Sequence, residues 1–394
     1  MLKLLQINEC LNLSTGKIAQ QIGETAIAHG WESWIAYSGR EKEMYSKSNL
    51  IRVGNYVDAC LHYINQRFFD NEGLLSSHYT KELILKIDSI NPDVIHLHNI
   101  HDHWLNYSIL FAYLAQKDIP IVWTQHDCWA FTGGCMYFDM LGCNNWTDGC
   151  HNCQDKRSII FNQSVRNFNL KQNALAEIKS LTFVPVSDWL TKLMRKSVQK
   201  QRSIVTIHNG VDLEIFKPIL KKKPKVNKFR IIGVAAVWDA RKGLDDFIRL
   251  RSLLSSDFEI TLVGLDEQQI KRLPLGIIGI TKTSNVTELA ELYSNSDVFV
   301  NPTYSDNFPT TNIEALACGT PVITYRTGGS PEAVDEYTGV VVEQGNIEAL
   351  VEAIFMMKRK PLSSEACRKR AEDLFDKNIC FEKYIRLYRQ LLTK

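Results

Sequence analysis

No stretch of the 394-residue chain approaches the roughly 18 consecutive apolar residues that a membrane-spanning helix needs. The start, Met1 to Leu13, has only the short apolar run Leu4 to Ile7, broken by Asn8 and Glu9, and so lacks the core of a secretory signal. Charge of one sign is scarce as well. A net charge of +2 and a pI near 8.0 exclude the strongly basic balance expected with nucleic acid, while leaving room for loose association with an anionic surface. Neither first-strand turn carries Gly-x-Gly-x-x-Gly, which argues against a nicotinamide dehydrogenase. Ser14-Thr-Gly16-Lys17 has the look of a phosphate-binding P-loop, but Leu11 and Ile18 stand where a Gly and a hydroxyl are needed, so the ATPase reading fails. Low-complexity tracts and short-period repeats are absent too. Ten cysteines without an export signal fit a reducing compartment, where thiols stay free or bind metal, and the expected location is the cytoplasm.

What is present is the ordinary mixture of a soluble enzyme, 45% hydrophobic and 23% charged, in a length that suits two domains. Short apolar runs alternate with helix-like stretches: Leu2 to Ile7, then Lys17 to His29, then Ser33 to Tyr37, with the same rhythm at Pro92 to Leu97 and Pro120 to Thr124. A second set includes Arg230 to Val237, Glu259 to Val263, Ile277 to Ile280, Asp297 to Asn301, Pro321 to Thr324 and Gly339 to Val342. Strands alternating with helices imply βαβ units around a parallel sheet. The fold class is therefore α/β, with two Rossmann-like domains facing across a cleft at the carboxyl ends of their strands. The expected division is 1–207, with a Cys-rich insert at about 128–155, then 208–376, then a terminal helix over 377–394 docking back on the body. Lys221 to Lys228 reads as a solvated basic loop.

The most informative segment runs from Asn301 to Thr324. A strand ends at Pro302, a polar loop succeeds it, and Thr310 to Cys318 reads as a helix stopped by Gly319. This layout aims a helix N-terminus, with its N–H groups and positive dipole end, at the strand-end cleft, where a diphosphate binds favourably. Asp306 and Glu314 each suit hydroxyl recognition; taken singly, each is equally readable as a turn residue or a solvated helix residue. The whole string, Asn301-Pro-Thr-Tyr-Ser-Asp306-Asn-Phe-Pro-Thr-Thr-Asn-Ile-Glu314, resembles the Glu-x7-Glu signature of the group 1 retaining glycosyltransferases of GT-B architecture, with Asp306 where a Glu is usual. The resemblance implies that the first acid contacts the transferred sugar, that the second holds the ribose or phosphate region, and that Asn307, Phe308, Pro309 and Thr310 line the donor.

Further matches extend the resemblance over almost the whole chain. Ile207-His-Asn-Gly-Val-Asp-Leu-Glu-Ile-Phe216-Lys-Pro218 is similar to the element opening the family's second domain, where Asn209-Gly210 makes a tight turn and Asp212 caps the residues just after it. Trp238-Asp-Ala-Arg241-Lys242-Gly243 ends a strand with two cations able to neutralise a diphosphate, or a surface pair before a turn; the Arg usual several residues earlier is replaced by Val237. Thr327-Gly328-Gly329-Ser-Pro-Glu332 resembles the glycine-rich loop that approaches the donor, and Gly16 the glycine facing its phosphate. His126, in Trp123-Thr-Gln-His126-Asp127, stands where the family has its active-site His; an isolated His is otherwise often a satisfied structural group. His96, His98 and His101 are read as a strand end and local hydrogen bonds rather than metal ligands.

Four thiols, Cys135, Cys143, Cys150 and Cys153, fall within about twenty residues, just past Cys128. Only Cys150 and Cys153 have knuckle spacing, so a structural zinc, free thiols and an iron–sulfur cluster all stand as readings. A comparable Cys-rich insert is a feature of the resembling subgroup that builds bacterial surface polysaccharides. The resemblance implies transfer of a hexose-type sugar from a nucleoside-diphosphate sugar to a saccharide or lipid-linked acceptor, with retention. No Asp-x-Asp occurs, so the expected chemistry needs no catalytic metal or other cofactor. A sugar-nucleotide epimerase of the same fold and a non-catalytic saccharide-binding module are the rivals. Trp189 to Arg202 pairs apolar positions with Lys192, Arg195, Lys196 and Lys200, a helix suited either to solvent or to the inner face of an anionic membrane.

Overall fold

A computed structural model describes residues 1–40, 44–155, 157–219 and 228–393; most of the basic stretch from Lys221 lies outside them. The chain divides into two units, Met1–His208 with Phe381–Lys394, and Asn209–Cys380. The first holds β1 (Lys3–Ile7), β2 (Glu32–Ser38), β3 (Asn49–Val53), β4 (Val94–Leu97), β5 (Ile121–Gln125), β6 (Leu181–Pro185) and β7 (Ser203–Ile204). Their order across the sheet is β3-β2-β1-β4-β5-β6-β7, and every pairing is parallel. The second holds β8 (Phe229–Val234), β9 (Phe258–Val263), β10 (Ile277–Ile280), β11 (Val298–Asn301), β12 (Val322–Tyr325) and β13 (Gly339–Val342), in the order β10-β9-β8-β11-β12-β13, again all parallel.

Parallel strands need a crossover between them, and helices over both faces bury the central strands completely. That is why β4, β5, β6, β11 and β12 are buried at every position, while the edge strand β10 keeps only partial cover. In the second unit Phe247 and Leu250 of the Leu244–Leu253 helix and Ile354 and Met357 of the Ile347–Arg359 helix pack against Ile260, Leu262 and Ile323 of the sheet. Both sheets reverse their winding once, between β1 and β4 and between β8 and β11.

Several boundaries differ from expectation. The strand read as Arg230 to Val237 stops at Val234, because the chain leaves the sheet there and Val237 is 68% exposed. β4 ends at Leu97, as the run Pro92 to Leu97 implies, and the His98 N–H just past it still donates to the Ile7 carbonyl. The helix-like stretch read from Lys17 begins three residues earlier, so that Ser14 to Lys17, expected as the loop between the first strand and first helix, forms the first turn of the Ser14–Ala28 helix. The helix expected to reach Arg202 is Asp188–Lys196; Ser197 ends it, and Lys200 sits in the turn beyond. Among the described residues no helix is long and apolar enough to cross a membrane.

The Lys377–Leu392 helix brings Phe381, Tyr384, Ile385 and Tyr388 into the first unit's core, each at most 2% exposed. Its anchor is polar. His96, inside β4, meets Tyr388 Oη at Nδ1 (2.6 Å) and Thr124 Oγ1 at Nε2 (2.7 Å), and Thr124 Oγ1 also meets Tyr384 Oη (2.9 Å). Burial drives His96 well below the usual histidine range, so a neutral ring with its proton on Nε2 satisfies both contacts. Replacing Tyr388 by Phe strands a buried ring nitrogen and should lower unfolding free energy by about 1–3 kcal/mol, and Tyr388→Ala by about 3–5 kcal/mol. Chemical denaturation of the two variants measures both, and a Tyr388→Phe variant as stable as the wild type would show that the hydroxyl contributes nothing.

Candidate active site

Ligands of open parallel sheets bind outside the strand carboxyl ends where the winding reverses. In the second unit that place lies beyond β8 and β11. After β8 the chain makes a 3-10 turn, Ala240–Lys242, started by the Asp239 side chain accepting from the Arg241 N–H (3.1 Å) and ended by Gly243 at φ +73°. A Cβ on Gly243 would strike the Pro302 carbonyl, so the turn after β8 and the loop after β11 touch through backbone. The Tyr304 N–H donates to the Arg241 carbonyl (2.7 Å), and the Arg241 guanidinium donates to the Ser305 carbonyl (3.0 Å).

This backbone lacing sets Lys242 Nζ 2.5 Å from Asp306 Oδ2, with both side chains under one-fifth exposed. Gly328, at φ +55°, lies so close that a Cβ would strike the Asp306 carbonyl oxygen, and the Gly329 N–H donates to that same oxygen (3.2 Å). Beneath the loop runs a buried polar network: Asn301 donates to Asn312 Oδ1 (2.8 Å), Asn312 donates to the carbonyl and hydroxyl of Ser330, and Ser330 meets Thr324 (2.7 Å). Asn307 and Phe308 are buried, and Asn209 donates to the Phe308 carbonyl (3.3 Å). Pro309 precedes the Thr310–Ala317 helix, whose N-terminus has no side-chain cap. Lys242, Arg241, Asp306, Gly328 and Gly329 are thus drawn together. Glu314, on that helix, accepts instead from the buried Tyr293 hydroxyl (3.2 Å).

In the first unit the reversal lies beyond β1 and β4. Gly16 is buried there because the Cys10–Leu11 backbone occupies the space of a side chain, with Leu11 C 2.5 Å from an ideal Cβ. His126 comes directly after β5, and its Nε2 lies 3.1 Å from His98 Nδ1; His98 Nε2 lies 3.1 Å from Gln6 Oε1. Gln6 commits its amide nitrogen to the Ala19 carbonyl (2.7 Å), so its oxygen must accept. His98 therefore donates from Nε2 and accepts at Nδ1, which puts the His126 proton on Nε2 and the lone pair on Nδ1. Burial holds His98 well below the usual range and pushes His126 down to about 4.

His101 has the opposite charge. Burial alone would lower it, but the Asp127 carboxylate 2.8 Å from Nε2 outweighs that and raises it well above the usual range. Glu72 and Asp102 oxygens stand 3.9 and 3.7 Å from its Nδ1. These three groups lie within metal-ligating reach of one another, and with His101 protonated they form an ionic network. The network borders a cavity of about 530 Å³ lined by Tyr63, Arg67, Glu72, Asp102, Tyr137 and Arg157. No sequence signal marks it, since its residues are spread from 63 to 157. The four candidate thiol ligands also cluster: Cys135, Cys143, Cys150 and Cys153 line a second, much smaller cavity, all as free thiols.

Residues 16–215, slightly over half the chain, match the model of Glycosyltransferase Family 4, and residues 216–374 match that of Glycosyl transferases group 1. A protein of Escherichia coli (strain K12), named as a colanic acid biosynthesis glycosyl transferase, is 23% identical over 364 residues, 85% of each chain. The Campylobacter jejuni N,N'-diacetylbacillosaminyl-diphospho-undecaprenol alpha-1,3-N-acetylgalactosaminyltransferase is 25% identical over 229 residues, 53% of this chain and 60% of that one. Among solved structures, sucrose-phosphate synthase from Thermosynechococcus elongatus superposes with a TM-score of 0.78 at 19% identity over the full length of both chains. Anabaena HepE, in complex with UDP and glucose, gives 0.67 at 14% identity, over 99% of this chain and 100% of that one. Two parallel α/β sheets of this order, those neighbours of GT-B fold, and two family matches that abut at residue 215 together place the chain among the group 1 glycosyltransferases, with a first half of the family 4 type.

Proposed function

We propose that the chain transfers a hexose-type sugar from a nucleoside-diphosphate sugar to a saccharide or lipid-linked saccharide acceptor in surface polysaccharide synthesis, with retention at the anomeric carbon. The observation that carries this reading is the Lys242–Asp306 pair at the strand ends of the second sheet, roofed by Gly328 and Gly329. Donor binding exchanges partners. The diphosphate takes the Lys242 ammonium, with Arg241 and the uncapped N-terminus of the Thr310–Ala317 helix adding positive potential. Asp306 is thereby released to accept from a sugar hydroxyl, and Glu314 holds the ribose end. The names of relatives agree in kind: one acts on a diphospho-undecaprenol-linked sugar, and a structural neighbour was captured with UDP and glucose.

In the transfer, the bond from the anomeric carbon to the diphosphate oxygen breaks and a bond to the acceptor oxygen forms, through an oxocarbenium-like state. The acceptor's proton passes to the departing phosphate. Charge on that phosphate is met by fixed cations and backbone dipoles, a preorganised arrangement worth a few kcal/mol per well-placed donor. His126, neutral and with its lone pair on Nδ1, orients a sugar hydroxyl by accepting from it. No metal is assigned to this chemistry.

Lys242→Ala, Asp306→Ala and Glu314→Ala should each lower turnover by orders of magnitude with unchanged circular dichroism, in an assay that follows transfer from a panel of nucleotide sugars. Near-normal transfer by all three would refute the site. Product formed from donor without acceptor would favour an epimerase, and added magnesium or manganese should leave the initial rate unchanged. Histidine titration by NMR should give His126 a midpoint near 4 and the Nε2–H tautomer. Because the folded value lies below the unfolded one of about 6.5, His126 contributes stability that is full above pH 6.5 and lost as pH falls towards 4. A midpoint near 6.5 would remove the neutral-imidazole role.

A further inference from the structure

Between β5 and the Ser164–Ala176 helix the chain runs for more than thirty residues, whose described part has only three short 3-10 turns, Trp129–Phe131, Phe138–Leu141 and Asn145–Thr147. A loop of that length without regular structure needs something to hold it. Phe131, Phe138 and Trp146 make a small aromatic cluster, with centroids 4.9 to 6.3 Å apart. Beside it Cys135, Cys143, Cys150 and Cys153 line a cavity of about 10 Å³, with the backbone-linked His151 at its rim. That is room for one water-sized occupant. A water there would find mostly carbon and sulfur, whereas a soft divalent ion finds four soft ligands.

The backbone around Cys150 is unusual. Cys150 and Asn152 both take left-handed conformations, φ +54° and +50°, uncommon for residues with side chains. The Gly133 N–H donates to Cys150 Sγ (3.0 Å), a bond that strengthens when the sulfur is a metal-bound thiolate. Asn145 closes the turn, accepting from the Cys150 N–H (2.7 Å) and donating to the His151 carbonyl (2.7 Å). The four sulfurs do not all stand within 4.8 Å of one another, as the Glu72, His101 and Asp102 ligand atoms do, so an ion held by all four requires them to close up around it.

We infer that Cys135, Cys143, Cys150 and Cys153 form a closed tetrahedral site for a structural zinc ion, which fixes residues 132–153. The same segment supplies one wall of the 530 Å³ cavity through Cys135, Tyr137, Met140 and Leu141, and Cys135 lines both cavities. Zinc occupancy thus sets the shape of the larger cavity. It is independent of the transferase reading and survives or fails separately from it.

Elemental analysis of the full chain purified without chelator should find close to one zinc per chain, and Cys143→Ser and Cys150→Ser should each lose it together with a lower melting temperature. Cobalt exchanged into the wild-type protein should show the visible bands of a tetrahedral thiolate site, a readout that stands even if the variants fail to fold. Iron with inorganic sulfide, zinc kept by both variants, or no uptake of zinc or cobalt by the reduced wild-type chain would each overturn the assignment.

Discussion

Where the second sheet reverses its winding, the crossovers from β8 and β11 leave in opposite directions and the two strand ends are left facing each other's loops. Whatever side chains stand there must satisfy one another or bind something. The chain puts a lysine from one strand end against an aspartate from the other, and both remain largely out of water. An ion pair so placed costs desolvation that its attraction only partly offsets, so it is weak evidence of a stabilising device. The surrounding structure instead spends two glycines, Gly243 and Gly328, on letting backbones approach the pair, and a buried Asn301–Asn312–Ser330–Thr324 network on fixing the loop beneath it. Rigid support under a partly dehydrated, exchangeable ion pair is what a diphosphate site requires before its ligand arrives.

The fold is legible wherever a strand lies at the centre of a sheet. Burial on both faces makes such strands largely apolar runs, and β1, β5, β11 and β12 can be located from hydrophobicity alone. β3 escapes that reading: as an edge strand it alternates, with Asn49 and Arg52 exposed, and looks like polar loop. β6, Leu-Thr-Phe-Val-Pro, escapes it although fully buried, because only the short turn at Lys179 and Ser180 separates it from the residues that end the helix before. The amphipathic pattern that begins at Asp188 overstates its helix because it continues past Ser197 while the helical backbone does not. The Ser197 N–H returns to the carbonyls of Leu193 and Met194, and Gln199 then bonds Ser197 in a turn.

The site is legible as a string of residues but not as a set of contacts. Arg241, Lys242 and Asp306 can be singled out from their strand-end positions, yet nothing in the spacing says that Lys242 reaches Asp306, sixty-four positions on. The glycines at 328 and 329 suggest room for a ligand; the room beside Gly328 is taken first by the Asp306 backbone. Tyr293, the partner of Glu314, comes from a different helix and has no motif of its own. The same holds for Glu72 and Arg157 at the large cavity, which converge from segments with no shared pattern. Sequence periodicity reports burial of a segment, whereas a site is made by segments distant in the chain.

The histidines after β4 and β5 show how little residue type alone decides. His126 adjoins Asp127 in the chain, and a carboxylate beside an imidazole ordinarily favours the cation. Asp127, however, is committed elsewhere: one oxygen takes the His101 Nε2–H at 2.8 Å and the other the Trp129 N–H at 2.8 Å. Burial would raise Asp127, and the His101 charge outweighs it and holds it low. Asp127 still favours the cation at His126, but burial outweighs it, the His101 charge adding to burial, and His126 stays neutral. Gln6, through His98, then fixes which nitrogen of His126 bears the proton. The same carboxylate favours the cation at both rings: at His101, 2.8 Å away, it outweighs burial, and at His126 burial outweighs it.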